Sequence, residues 1–261
     1  MKISVLTVCY NAEATIRHTL ESFLAQDHRD KEMWVIDGAS TDGTTATVGE
    51  YVGDRIRLLS EPDRGMYDAL NKGLERFSGD AVGVLNADDT YHDDTILSRI
   101  AEALEDTDMV HGDLNYVDNH DTKTVTRRWR AEPRPETGFR SGWMPAHPTF
   151  YARRYVAEAV GAFDLTLPTS SDYDWMIRAI DVHGFSLATI DHVMVDMQLG
   201  GTSTASLRAH WANNWEVLRA RRRWLDAGMV DYALIAKPAR KIGQYVTRKQ
   251  IDDDRHGKTD L

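Results

Sequence analysis

Residues 81–94 read AVGVLNADDTYHDD. The small and apolar run from Ala81 to Leu85 stops at Asn86, and four aspartates follow: Asp88, Asp89, Asp93 and Asp94. A short uninterrupted apolar run closed by turn residues reads as a strand buried on both faces, the kind that fills a parallel sheet. The carboxylates crowded at its end need a reason, because like charges repel. Asp93 and Asp94 have an ordinary one: they open a helix over about 93–104, where negative charge suits the dipole. A turn role is the ordinary reading of Asp88 and Asp89. It serves Asp88 poorly, because adjacent carboxylates are more easily kept when a cation sits among them. Hard divalent ions such as Mg2+ or Mn2+ take oxygen ligands and complete their shell with substrate phosphates.

Working outward, this strand is one of a series. Residues 2–8 (KISVLTV) read as a buried strand, 33–36 (MWVI) as a second ending at Asp37, and 56–60 as a third. Between them, Ile16, Leu20, Phe23 and Leu24 mark a helix over 12–25. Ser40 or Thr41 caps a helix beginning near Asp42, and Met66, Leu70, Leu74 and Phe77 mark one over 66–77. Repeated β-α-β units predict an α/β fold with a mostly parallel, doubly wound central sheet and helices on both faces. Ligands bind off the carboxyl ends of such strands. Those ends read Cys9-Tyr10-Asn11, Asp37-Gly38 and Asn86-Ala87-Asp88-Asp89. Three polar strand ends on one edge point to a site more strongly than any single motif does.

The later pattern is less regular. Residues 108–130 read as a hairpin or extended strands, and 131–148, rich in Pro and Gly, as a mobile loop. A strand at PTFYA (148–152) precedes a short helix near 153–160. Ser170-Ser171 caps a helix running to about His183, and the strand FSLATIDHVMVDM follows. Helices near 205–226 and 230–247 come next, and 250–261 reads as a disordered tail.

Composition bounds the function. The chain has 261 residues, 42% hydrophobic and 28% charged, which suits one sizeable soluble globular domain with an appendage. Cys9 is the single cysteine, so no internal disulfide forms, which fits a reducing cytoplasm. MKISVLTVCYNAE begins a strand at once and shows no signal peptide, and no uncharged run is long enough to span a bilayer. A net charge of −10 argues against nucleic acid as a partner. The charge is uneven: residues 208–249 carry 10 Lys/Arg against 3 Asp/Glu, a net of +7. There Arg219, Arg221, Arg222 and Arg223 mix with Trp211, Trp215 and Leu218, a pattern that suits the surface of an anionic membrane. The ordinary alternative packs the apolar stripe on the sheet and leaves the charges in solvent.

Five blocks carry a resemblance. They are CYNAEATIRHTLESFLAQ (9–26), WVIDGASTDGT (34–44), EPDRGMYDALNKGL (61–74), LNADDTY (85–91) and SSDYDWMIRA (170–179). In order and spacing, over about residues 1–202, they resemble family 2 glycosyltransferases of the GT-A fold. The bacterial polysaccharide and glycolipid branch is most similar, through EPDRGMYDALNKGL and the later LGGTST. The resemblance implies a Rossmann-like GT-A domain over 1–202, with a nucleotide-sugar half at about 1–112 and an acceptor half at about 113–202. Residues 203–249 then form basic C-terminal helices. It implies an inverting, metal-dependent hexosyl transfer from a UDP-, GDP- or dTDP-sugar to a hydroxyl of a glycan or glycolipid acceptor, lipid-linked or polysaccharide precursor. The QxxRW block of processive synthases is missing, so one sugar per acceptor is expected. The expected location is cytoplasmic, peripheral on the inner face of the membrane, and a homodimer is compatible with the chain.

Residue by residue, the resemblance gives Asn86 the ribose and Asp88 the Mn2+ or Mg2+, with Ala87 between them and Asp89 in support. It gives Asp37 the nucleobase, Tyr10 a stacking role and Asn11 the ribose or a turn. Arg64 and Asn71 fall in a block set against base or diphosphate. Asp172 matches the general base, with Asp174 as fallback. His147 and Trp143 are placed at the acceptor, and Gly200-Gly201-Thr202-Ser203 in a lid or a phosphate-contacting turn. Each has an ordinary counterpart: helix-start chemistry for Asp172, a loop-fixing amide for Asn71, a satisfied structural histidine for His147, core packing for Trp143. Two other functions compete. A sugar nucleotidyltransferase needs a Gly-rich basic loop after the first strand, where this chain has Tyr10-Asn11-Ala12-Glu13. A catalytically inactive nucleotide-sugar-binding or assembly protein has no need of Asp88 and Asp172. A dinucleotide-dependent dehydrogenase is disfavoured because no GxGxxG follows the first strand.

Overall fold

The apolar runs become strands covered on both faces. β1 (Ile3–Cys9), β2 (Lys31–Asp37), β3 (Ile56–Ser60) and β4 (Ala81–Val84) pair in parallel, in the spatial order β3-β2-β1-β4. The computed structural model describes residues 1–119, 123–198 and 207–225, with side chains from Trp215 onward in the last stretch. Period-2 alternation sends Ile3, Val5 and Cys9 into one core, shared with Ile16, Leu20 and Phe23 of α1 (Ile16–Leu24) and with Ile96 and Ile100 of α4 (Ile96–Ala103). Leu6 faces the opposite core, beside Leu70 of α3 (Met66–Leu74). The short α2 (Thr44–Gly49) lies between β2 and β3 in the chain.

The sheet continues past β4 through β8 (Tyr151–Arg153), antiparallel to both β4 and β6 (Met109–Val117). β9 (Leu187–Gln198) runs parallel to β6, and β7 (Val125–Trp129) forms the expected hairpin with β6. β5 (Asp89–Tyr91) closes the far edge, antiparallel to β9, with Asp89 opposite Met197. The sheet is therefore mixed and mostly parallel, as expected. β5 itself was not expected: three residues inside an acidic turn become a strand only because β9 offers them a partner.

Other differences have local causes. α1 starts at Ile16, not residue 12, because the backbone amides of Asn11 and Ala12 donate to Ser40 Oγ and Thr44 Oγ1 at 2.8 Å each. Residues 131–148 are not an open loop. Two 3-10 turns, at Gly138–Ser141 and His147–Thr149, bracket them, and Phe139 and Trp143 are buried. β8 consequently begins at Tyr151, after Pro148 has been used in the second turn. One glycine is dictated by a close approach: a Cβ on Gly83 would meet the Tyr151 ring at 2.3 Å. The Tyr151 and Tyr91 hydroxyls pair at 2.5 Å and tie β8 to β5 beneath the acidic turn.

α5 (Arg154–Val160) and α6 (Ser171–Ile177) follow β8, and a π-helical turn continues α6 through Val182. α7 (Leu207–Leu225) returns against α6, burying Val217, Ala220 and Leu225 in the same core as Tyr173 and Trp175. Among the described residues no helix is long and apolar enough to cross a membrane. The helix expected near 230–247, the 250–261 tail and Gly200–Ser203 lie outside the described residues.

Candidate active site

The parallel register brings Cys9 opposite Asp37 and Asp37 opposite Ser60, so the carboxyl ends of β1, β2 and β3 form one rim. Tyr10 stands there 65% exposed, with its ring open to a flat ligand. Asn11 adopts a left-handed backbone (φ 50°) that asparagine tolerates, and its Oδ1 accepts the Thr41 amide at 2.9 Å. Arg64 is exposed and pairs with Asp68 at 2.9 Å on the first turn of α3. Lys72 pins the preceding loop through Glu61 at 3.0 Å and the Pro62 carbonyl at 2.8 Å.

Asp37, expected at the nucleobase, closes β2. It is fully buried, and its carboxylate accepts the Ser40 amide at 3.0 Å, the Ser60 hydroxyl at 2.6 Å and the Ser40 hydroxyl. Those donors tie it to the turn after β2. The carboxylate presented on that rim is Asp63, half-buried over Gly38, where a Cβ would sit 2.6 Å from its Oδ2. Asp63 lies inside the quoted block EPDRGMYDALNKGL, and no residue-level signal distinguished it from Asp37.

At the end of β4 the Asn86 side-chain amide donates to Asp89 Oδ2 at 2.8 Å. Burial first, and then the Asp88 charge, push the Asp89 carboxyl well above the usual carboxylate range. Asp89 is thus a buried structural acid, and Asp88, half-buried beside it, is the carboxylate that meets solvent. Asn86 Oδ1 is a buried acceptor with no hydrogen-bond partner among the described residues. A single accessible carboxylate amid oxygen donors fits a hard divalent ion that draws its remaining ligands from water and phosphate. No cage of three or more His, Cys, Asp or Glu exists among the described residues. The Ala87 methyl packs into the core instead of facing the rim.

Asp172 opens α6. The Tyr67 hydroxyl of α3 donates to its Oδ1 at 2.8 Å, and among the described residues no donor reaches Oδ2. The half-buried Asp172 and His147 are the polar members of a cavity of about 40 Å³ otherwise walled by groups such as Phe150, Phe163 and Trp175. Burial lowers the His147 imidazole below its usual value, against the opposing pull of the Asp172 charge. Burial and the Asp172 charge together raise the Tyr67 phenol, so it stays a donor.

α7 holds this helix from behind. Glu216 accepts the Thr169 amide at 2.8 Å and its hydroxyl at 2.9 Å, just before α6. The buried Arg221 donates to the Tyr173 hydroxyl at 3.0 Å and to the Phe139 carbonyl. Trp224 Nε1 donates to Asp174 Oδ1 at 2.7 Å. The contacts fall on both sides of Asp172 in sequence. Tyr67 and Glu216 were not singled out in the sequence, and Arg221 and Trp224 stood out only as part of the basic, aromatic segment, because their partners are set by tertiary packing alone.

Three expected site residues have partners within the fold. Asn71 does not face the rim: its amide donates to the Phe163 carbonyl at 3.1 Å and its Oδ1 accepts the Phe163 amide at 2.8 Å. Trp143 is buried, with Nε1 on the Glu132 carbonyl at 2.9 Å, and offers no ring to an acceptor. Asp174 is buried, paired with Arg178 at 2.8 Å and with Trp224, so it cannot stand in for Asp172. His111 and His192 are likewise engaged, on Thr189 at 3.0 Å and Asp93 at 2.6 Å.

Comparison with known proteins bears on the fold and the family. The solved structure of TarS from S. aureus superposes with a TM-score of 0.63 at 19% identity, over 85% of this chain and 44% of that one. This chain thus spans less than half the length of TarS. The mannosyltransferase PcManGT from Pyrobaculum calidifontis, solved with GDP-Man and Mn2+, superposes with a TM-score of 0.60 at 19% identity, over 95% of this chain and 82% of that one. Both share the fold. A PGL/p-HBAD biosynthesis glycosyltransferase of Mycobacterium bovis is 27% identical over 182 residues, covering 67% of this chain and 68% of that protein. The family model described as Glycosyl transferase family 2 matches residues 4–161, which include every rim residue described above. The chain therefore belongs to glycosyl transferase family 2 and is a glycosyltransferase.

Proposed function

We propose that the protein transfers one sugar, with inversion, from a nucleotide-diphosphate sugar to a hydroxyl of a glycan or lipid-linked acceptor in cell-surface glycan synthesis. The observation that carries this reading is Asp172, a carboxylate held by Tyr67 on one oxygen and lining a cavity at the start of α6. Its Oδ2 takes the proton of the acceptor hydroxyl as that oxygen bonds to the anomeric carbon. The bond from that carbon to the diphosphate breaks on the opposite face, and the nucleoside diphosphate leaves. Neutral His147 sits beside the base and orients the acceptor without adding charge.

Tyr10, Asn11, Asp63 and Arg64 form the nucleotide side of the rim, with Asn86 toward the ribose. Asp88 would hold Mn2+ or Mg2+, which supplies positive charge to the departing diphosphate. PcManGT, with GDP-Man and Mn2+, and TarS, solved in another crystal with UDP-GlcNAc, support a nucleotide-sugar donor and a divalent ion. The basic C-terminal segment would place the protein against the inner membrane face, near a lipid-linked acceptor. The test is Asp172→Asn, assayed for transfer with UDP-, GDP- and dTDP-sugars and for donor binding by calorimetry. Transfer is expected to vanish while donor affinity stays; transfer at the normal rate removes Asp172 as the base.

A further inference from the structure

On the far side of α6 from the Asp172 cavity, α7 and the 164–167 loop enclose a groove of about 220 Å³ lined by Arg219, Arg222 and Arg223. Two acids also face it, and both are already neutralised. Asp164 pairs with Arg223 at 2.9 Å, and Asp174 pairs with Arg178 at 2.8 Å. Arg219 and Arg222 have no carboxylate within ion-pair distance among the described residues. Arg219 reaches only the Thr166 carbonyl at 3.5 Å, and Arg222 lies 5.8 Å from the centre of the Trp215 ring. The two are three positions apart on one helix, so they project from one face, with the small Ala220 between them leaving room. The chain carries 41 acidic and 31 basic residues, so cations are the scarcer partner. Two guanidinium groups without a carboxylate in one concavity are therefore a marked departure.

We propose that this groove is a binding site for a phosphate group. A guanidinium presents planar, paired donors that match phosphate oxygens, and two of them reach one anion from one side. Trp215, 59% exposed about one turn before Arg219 on α7, gives an organic phosphate an apolar surface beside the groove. The 164–167 wall follows Phe163 directly, and Phe163 lines the Asp172 cavity, so a single loop separates the two sites. The phosphate belongs to the acceptor, as in a lipid-linked sugar, or to a membrane headgroup beside it. Its use in transfer rests on the function proposed above; the binding does not.

The test uses the full chain in metal-free buffer with a chelator, which keeps Asp88 silent. Arginine side-chain N–H signals are followed by NMR during titration with inorganic phosphate and with glycerol phosphate. Flotation is measured on phosphatidylcholine vesicles with and without phosphatidylglycerol. Saturable shifts of the Arg219 and Arg222 signals are expected, with affinity falling at least about tenfold in Arg219→Gln/Arg222→Gln. If the double variant also loses flotation on the anionic vesicles, the headgroup is the source. If flotation is equal but soluble phosphate binding is lost, the phosphate is acceptor-borne. No shift with either soluble phosphate, together with equal flotation of wild type and double variant, overturns the site, as does a double variant that keeps both kinds of binding. Asp172→Asn is expected to bind phosphate as wild type does, so failure of the base assignment is read separately.

Discussion

The Tyr67 hydroxyl donates to Asp172 Oδ1 at 2.8 Å, joining the first turn of α3 to the first turn of α6. One carboxylate oxygen is thereby fixed, and the side chain has one direction in which to present the other. Tyr67 also stacks on Phe163, with ring centres 5.6 Å apart, so the donor is itself held in place.

Removing that hydroxyl should therefore affect turnover more than folding. Tyr67→Phe keeps the ring stack and leaves Asp172 free to rotate. We expect kcat to fall about tenfold, on the order of 1.4 kcal/mol, with donor KM and Tm near wild type. Steady-state kinetics and a melting curve check this; an unchanged kcat shows that Oδ1 needs no donor.

Asp88 gives a prediction about binding. If it is the metal carboxylate, Asp88→Ala weakens nucleotide-sugar binding in the presence of Mn2+ by about tenfold or more and has little effect in chelator. Calorimetry with and without Mn2+ reads the difference. Equal affinities for variant and wild type in both conditions remove the metal role.

The hold of α7 on α6 predicts an effect from a residue remote from the rim. Glu216→Ala loses the two hydrogen bonds to Thr169, and kcat is expected to drop several-fold while donor affinity stays. Glu216→Gln keeps an acceptor oxygen and should restore most of the rate. A Gln variant as slow as the Ala variant argues that charge, not the hold on Thr169, is what matters.

Acid stability should depend on Glu32. Burial disfavours its carboxylate, but hydrogen bonds from Lys2, Ser4 and Ser78 outweigh this and hold it down at about 2. A carboxyl depressed in the folded state adds stability that is full above its unfolded value and is lost as pH falls through the folded one. The loss therefore spans the window from 4.5 down to about 2. Glu32→Gln should flatten the fall in Tm across that window; an unchanged slope places the acid sensitivity elsewhere.

Much of this was legible in the chain. The runs at 2–8, 33–36 and 81–85 are buried on both faces, and a period of that kind admits little but a parallel sheet. Polar strand ends then mark the rim, because topology fixes which ends meet. The acids at those ends were harder to sort. Asp37 and Asp63, or Asp88 and Asp89, are identical in type, and only the donors around each decide which is buried and which is presented. The partners of Asn71, Trp143 and Asp174 were hidden for the same reason.

The sequence by itself determined the α/β order, the polar strand ends that form one rim and the family, since local periodicity and motif spacing are properties of the chain. Only the tertiary structure decided that Tyr67 meets Asp172, that α7 braces α6, and that Arg219 and Arg222 share one groove without an ion-pair partner among the described residues. Such pairings join side chains far apart in sequence, and their geometry exists only once the sheet and helices have packed.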